Sequence, residues 1–337
     1  FLISHGTFTG RNTKLPKSPR INRVYLPYDT KGASKRFLSF YQPKMGLILE
    51  TELWFNLINQ CSLNNIPIHL VNARLSKKSL SKYLTFKKFI NFGLSQLDSI
   101  YVRSKEDLAN FSKLTKANIS IMGNIKFDSK PPKGIRKKIN QLKKKLKISN
   151  HFVLVAGSTR PGEEQILLEL VEKLNCTELI LLLAPRHAER FSEVEKIFKS
   201  KNLTIIRKSK LKKIAKTPKY ILGDTMGDLY ELYGLANLAI IGGSILDYGC
   251  QNPIEPMSLN IQTAVGPSIY NFKDMVNIAE KNKAIFRFKN IYELEQIIKS
   301  LLDKGEINQE IIGNAQKYIK ESSGGTDKII ELINQYL

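Results

Sequence analysis

Cysteine is scarce: Cys61, Cys176 and Cys250 are the only three in 337 residues. They lie far apart, fit no CxxC spacing and leave an odd count, which excludes a disulfide framework and a cysteine-built zinc site and fits a reducing compartment. Long apolar runs are missing too. No stretch approaches the roughly 18 uninterrupted apolar residues of a membrane span, and the opening "FLISHGTFTG" lacks the basic flank and apolar core of a secretory leader. Acidic residues are few, 30 against 53 Lys and Arg, giving a formal charge of +23. Such a surface attracts phosphates, nucleic acids or an anionic membrane face. No internal repeat, low-complexity tract, RRM, KH or zinc-finger pattern occurs, so a nucleic-acid-binding protein is suggested only by charge and by the basic run 130–147. The chain opens on phenylalanine, not methionine, as a fragment or processed product would.

What is present is alternation. With 42% hydrophobic and 25% charged residues the composition is that of a globular protein. Short apolar runs separated by helix-length amphipathic segments predict βαβ units and parallel sheets. Strands are expected at 45–49, 66–71, 99–102 and 118–122, and in a second series at 151–157, 178–185, 203–207, 219–223, 237–244, 261–266 and 283–288. Between Leu53 and Asn65, Leu53, Leu57 and Cys61 fall on one helical face. The division expected is an N-terminal domain over 1–129, a basic linker helix over 130–150 and a C-terminal domain over 151–337, with the last helices able to pack back on the first domain. The linker "KPPKGIRKKINQLKKKLK" has no acidic residue, yet Ile135, Ile139, Leu142 and Leu146 keep a helical stripe. A solvated basic helix at a domain boundary accounts for it better than an oligonucleotide site does.

In open α/β sheets ligands gather beyond the carboxyl ends of the strands, so the residues just after each apolar run are informative. After 45–49 comes "ETELW", which if extended points Glu50 and Glu52 the same way, as a general base or as helix-start acids. "NARLS" offers Arg74 as a fork for phosphate or carboxylate, or as a surface ion pair, and "GNIKFD" offers Lys126. In the second half "AGSTRPGEE" turns through Gly157 and Ser158 into a helix starting near Gly162. The run "LLAPRHAERF" stops at Pro185 and presents Arg186 and His187 where an anion would bind. "GDTMGDL" predicts a cap from Asp224 or Thr225 with the amides of Met226 and Gly227 free, followed by Asp228. Gly242, Gly243 and Ser244 form a close-approach turn, and Asn252, Pro253 and Glu255 open a further helix.

As an ordered set, "LPYD" (26–29), "ETELW" (50–54), "NARLS" (72–76), "GNIKFD" (123–128), "AGSTRPGEE" (156–164), "PRH" (185–187), "GDTMGDL" (223–229), "GGS" (242–244), "NPIEP" (252–256) and "GP" (266–267) followed by "NF" (271–272) resemble the 3-deoxy-D-manno-octulosonic acid (Kdo) transferases over nearly the whole chain. The resemblance implies a GT-B glycosyltransferase of two Rossmann-like doubly wound domains with a cleft between them. It implies transfer of Kdo from CMP-Kdo to the lipid A precursor (lipid IVA) with inversion, in lipopolysaccharide biosynthesis, without cofactor or catalytic metal. Carried over by motif, Ser158, Pro185, Arg186, His187, Met226, Gly227, Asp228, Gly243, Ser244, Asn252 and Glu255 would bind the donor, and Glu52, Arg74 and Lys126 would serve catalysis from the first domain. The partners implied are CMP-Kdo, the lipid A precursor and an anionic membrane surface, with no nucleic acid, at the cytoplasmic face of a bacterial inner membrane. "KRFLSFYQ" (35–42), mixing cations and aromatics, suits that surface and equally an ordinary amphipathic helix. Two departures stand out. The family's "SxGE" segment, whose glutamate acts as base, and its membrane anchor would lie before Phe1, so the first strand and helix of the N-terminal domain are expected to be absent and catalysis by this polypeptide is open. Gln251 also stands where the family has histidine, and an amide cannot act as an acid. The alternatives are another GT-B enzyme using a UDP-sugar, a nucleic-acid-binding protein and a catalytically inactive regulatory form.

Overall fold

The computed structural model describes residues 1–12, 18–211, 216–304 and 307–337. The chain divides into two compact units, Phe1–Asp128 with Ser323–Leu337, and Ser129–Ser322. The segment 130–150 therefore falls within the second unit, and the last helix, Gly325–Asn334, within the first.

The first unit holds two parallel sheets. Strands β1 (Leu2–His5) and β2 (Asn22–Tyr25) pair with each other, and β3 (Gly46–Leu49), β4 (Ile68–Ala73), β5 (Ser99–Val102) and β6 (Ile119–Ile121) form a sheet in that order. The first pair was not expected from sequence. Its strands are four residues each and only half-buried, so they carry no continuous apolar run. The four-stranded sheet is covered by helices that bury Leu38, Leu57, Ile58, Cys61, Ile90 and Phe111 against Leu70 and Ile100. Leu53 precedes the helix Phe55–Leu63 instead of lying on it. That helix is capped from a distance: Asp29 accepts from the amides of Asn56 (3.2 Å) and Leu57 (2.9 Å). The closing helix is held by Asp128, which accepts from the amides of Gly324 and Thr326, both at 2.6 Å.

The second unit is built on one seven-stranded parallel sheet. Its strands are β7 (Phe152–Thr159), β8 (Leu179–Pro185), β9 (Ile206–Arg207), β10 (Tyr220–Leu222), β11 (Leu238–Ile241), β12 (Gln262–Val265) and β13 (Phe286–Arg287), in the order β13-β12-β11-β7-β8-β10-β9. From β7 the chain winds first toward β8 and later returns to its other side as β11, so the strand order reverses between β7 and β11, where open α/β sheets bind ligands. Leu154, Ala156, Leu181, Leu183, Leu238 and Ile240 pack against Leu167, Leu168 and Val171 of the helix Glu163–Leu174, all at or near zero exposure. Strands β9 and β13 keep only two residues of their apolar runs. The basic helix Ile135–Leu146 buries the expected stripe of Ile135, Ile139, Leu142 and Leu146. Ile139 packs on Gly234, where an added Cβ would come within 2.1 Å of its Cδ1.

Candidate active site

In the first unit the residues beyond the ends of three successive strands meet. Glu50, Thr51 and Glu52 come after β3, Arg74 after β4 and Arg103 after β5, and with Lys126 they line a cavity of about 320 Å³. The "ETELW" stretch is not extended, because Glu50 adopts φ 62°. That turn aims the Glu50 carboxylate at Arg103 Nη2, 2.6 Å away, while Arg103 Nε donates to the Asn72 carbonyl at 2.9 Å. Arg103 thus fastens the ends of β3, β4 and β5 together. Glu52 accepts from the Trp54 indole at 3.2 Å. The amide of Arg74 donates to Thr51 Oγ1 (3.1 Å), and that hydroxyl in turn donates to the Arg74 carbonyl. Lys126 has its pKa held below the ordinary lysine value, chiefly by partial burial and then by Arg103 and Arg74, with Glu50 opposing. Three cations against two carboxylates give this cavity a net positive lining, which favours an anion.

In the second unit the sites converge on the reversal between β7 and β11. Gly242 donates to the Gly157 carbonyl at 2.8 Å, and a Cβ on Gly242 would lie 2.3 Å from the Ser158 carbonyl, so glycine there is what lets the two strand ends close up. Ser158 (φ 58°) and Gly243 (φ 71°) both take the left-handed conformation. Glu163 is fully buried under this turn and gathers four backbone amides: Arg160 (2.9 Å), Gly243 (2.7 Å), Ile245 (3.0 Å) and Leu246 (3.3 Å). Burial nevertheless leaves its pKa raised.

The turn after Pro185 is pinned from below. Arg190 and Glu164 form a two-pronged buried pair (Nη1 to Oε1 2.5 Å, Nη2 to Oε2 3.1 Å), and Thr159 donates to the same carboxylate at 2.6 Å. Arg186 and His187 therefore stand exposed on a fixed base. The Glu255 carboxyl is raised in pKa by burial, against the opposing Asn252 hydrogen bond and the charge of Arg186.

Two expectations change in detail. Asp224 does not cap the next helix; it binds the amide of Ser209 at 2.8 Å and the Ser209 hydroxyl, and the helix Leu229–Tyr233 begins after Asp228. Asp228 pairs with Lys208, which also reaches Glu231 at 2.9 Å, so the acidic groups of "GDTMGDL" are consumed within the chain while Met226 stays exposed and Gly227 (φ 90°) faces open space. Ser244 is fully buried, and its hydroxyl donates to Ile241 and accepts from Gly266 (2.9 Å), so it holds the loop and does not reach outward. Asn252 caps the amide of Ile254 at 3.1 Å, and Gln251 donates its amide to Gly242 at 3.0 Å. Arg103, Arg160, Glu163 and Lys208 were missed from sequence. Arg103 had a usable signal, since it comes after an apolar run as Arg74 does. Among the described residues no three His, Cys, Asp or Glu side chains cluster as a metal centre would, and no helix is long and apolar enough to cross a membrane.

Two Rossmann-like parallel α/β units, the second with a strand-order reversal of the kind at which open α/β sheets bind ligands, are those of the GT-B fold. A glycosyltransferase from Rickettsia africae has the same fold, with a TM-score of 0.59 over 94% of this chain and 84% of that one at 15% identity. The sequence profile of the family described as "3-Deoxy-D-manno-octulosonic-acid transferase (kdotransferase)" matches residues 1–129. The 3-deoxy-D-manno-octulosonic acid transferase of Haemophilus influenzae is 32% identical over 99% of this chain and 80% of its own length. The C-terminal CMP-Kdo binding domain of WaaA from Acinetobacter baumannii superimposes with a TM-score of 0.52 and 32% identity, over 55% of this chain and 97% of that domain. The chain belongs to the Kdo transferase family.

Proposed function

We propose that this protein transfers Kdo from CMP-Kdo to a lipid A precursor, with inversion, at the cytoplasmic face of a bacterial inner membrane. The observation that carries the donor assignment is the β7–β11 site, with Arg186 and His187 on a braced turn, in a chain of which 55% resembles a CMP-Kdo binding domain along 97% of that domain's length. The donor nucleotide sits there, its charge met by Arg186 and by the free amides of Met226 and Gly227, with Asn252 and Glu255 beside it. The acceptor hydroxyl attacks the anomeric carbon of Kdo, the bond to the CMP phosphate oxygen breaks, and CMP leaves. The resemblance gives the role of the base that takes the hydroxyl proton to the glutamate of an "SxGE" motif, which residues 1–337 do not contain, so no side chain of this chain is assigned that step. Arg74 and Lys126 meet the anionic groups of sugar and acceptor, and Glu52 accepts from their hydroxyl groups. The charge that develops on leaving CMP is met by side chains and backbone amides, so no bound metal is invoked.

The membrane contact is assigned to the first unit. Leu84, Phe86, Phe89 and Phe92 are 41–67% exposed, and Lys77, Lys78, Lys82, Lys87 and Lys88 surround them on the helices Lys77–Thr85 and Lys87–Leu94. Aromatic rings among lysines suit the interface of an anionic bilayer. "KRFLSFYQ" contributes less: it lies mostly in the helix Lys31–Tyr41, buries Leu38 and exposes Phe40. The test is release of CMP from CMP-Kdo on addition of lipid A precursor. Acceptor-dependent release, with product gaining one Kdo mass or more, is expected. Release with a UDP-sugar and none with CMP-Kdo would overturn the assignment.

A further inference from the structure

Arg160 comes directly after β7, inside the "AGSTRPGEE" motif, and was not singled out from sequence. Its guanidinium lies over the Tyr248 ring, 4.9 Å from the centroid, and Nη1 sits 2.7 Å from His187 Nε2. A guanidinium only donates, so Nε2 is the acceptor and the ring turns its bare nitrogen to Arg160. Two flat partners from different loops, one after β8 and one after β11, thus fix the plane and the rotation of the arginine. Its Cγ reaches the Gly243 turn, within 3.5 Å of where a Cβ on that glycine would stand.

What the arginine lacks is an anion. Among the described residues no carboxylate pairs with the Arg160 guanidinium, and its Nε is buried with no hydrogen-bond partner. Glu163, the nearest acid in sequence, spends its carboxylate on four backbone amides, that of Arg160 included. Of the five N–H donors of a guanidinium, one is spent on His187. A half-exposed, oriented cation with a buried, unpartnered Nε and further unspent donors at the strand-order reversal is built to receive an oxyanion.

We propose that Arg160, held flat between Tyr248 and His187, is an anion-binding residue of the donor site and takes either the phosphate or the carboxylate of the sugar nucleotide. His187 is then a positioning residue that orients Arg160. The proposal rests on the CMP-Kdo donor reading, and the two fail separately.

The test titrates cytidine, CMP and CMP-Kdo into the wild-type protein, Arg160→Gln and Tyr248→Leu. If Arg160 holds the phosphate, R160Q weakens CMP tenfold or more and leaves cytidine unchanged. If it holds the carboxylate, R160Q leaves CMP unchanged and weakens CMP-Kdo by that factor. Tyr248→Leu keeps the charge and removes its platform, and it weakens the same ligand about threefold; should R160Q fail to fold, this variant decides the matter. Affinities within twofold of wild type for all three ligands would overturn the proposal, as would equal losses for cytidine and CMP, which mark collapse of the loop. A wild-type protein preferring UMP to CMP would instead overturn the donor reading, and uridine against UMP would then judge Arg160 in the same way.

Discussion

Replacing Arg190 by methionine removes the brace under the Arg186–His187 turn, and the structure sets the size of the effect. Glu164 is fully buried, and without the guanidinium its remaining side-chain partner is the Thr159 hydroxyl. Breaking a buried pair in this way costs about 3–5 kcal/mol. For a unit of this size such a deficit lowers the melting temperature by about 6–20 °C. Urea unfolding of wild type, Arg190→Met and the Glu164→Leu/Arg190→Met pair at pH 7 measures it, and the pair should recover most of the loss. A single variant within 1 kcal/mol of wild type at pH 7, or a double variant no better than the single, would refute the reasoning.

Gly242→Ala places a Cβ 2.3 Å from a backbone oxygen, so the β7 and β11 ends must part; a stability loss of about 1–3 kcal/mol with a larger loss of nucleotide affinity is expected by melting and titration. The first-unit cavity should bind inorganic phosphate less well as pH rises through the lowered pKa of Lys126, beginning below the ordinary lysine range, and Lys126→Met should flatten that profile. Replacing Phe86, Phe89 and Phe92 together by serine should reduce sedimentation with anionic phospholipid vesicles while leaving CMP binding intact.

Much of the second unit is legible in its sequence because β7, β8 and β11 are buried on both faces and read as unbroken runs of Val, Leu, Ile and Ala. Their polar ends come at once, so Ser158, Arg186, His187 and Gly243 are found by reading on from each run. Strands β1 and β2 escape because half-exposed edges of four residues have no such run. Side-chain partners escape for a different reason. Asp224 looks like a cap until Ser209, fifteen residues earlier, claims it. Arg103 meets Glu50 across 53 residues, and Arg160 meets His187 across 27. Ser244 carries the residue type expected at a phosphate, yet only the packed loop shows its hydroxyl turned inward. Periodicity predicts which elements form and where strands end, while pairings over such separations are fixed by the packing of the whole unit.

The central claim is that the second unit is a cytidine-nucleotide donor site. Calorimetric titration of the protein with CMP, UMP, GDP and a short oligonucleotide at two salt concentrations tests it most directly, because binding needs no acceptor. The account predicts saturable binding of CMP in preference to UMP and GDP, abolished or strongly weakened in Arg186→Ala, by about 1.5–3 kcal/mol for the lost charge-assisted contact. Preference for UMP, or salt-sensitive oligonucleotide binding with no preference among nucleotides, would contradict it.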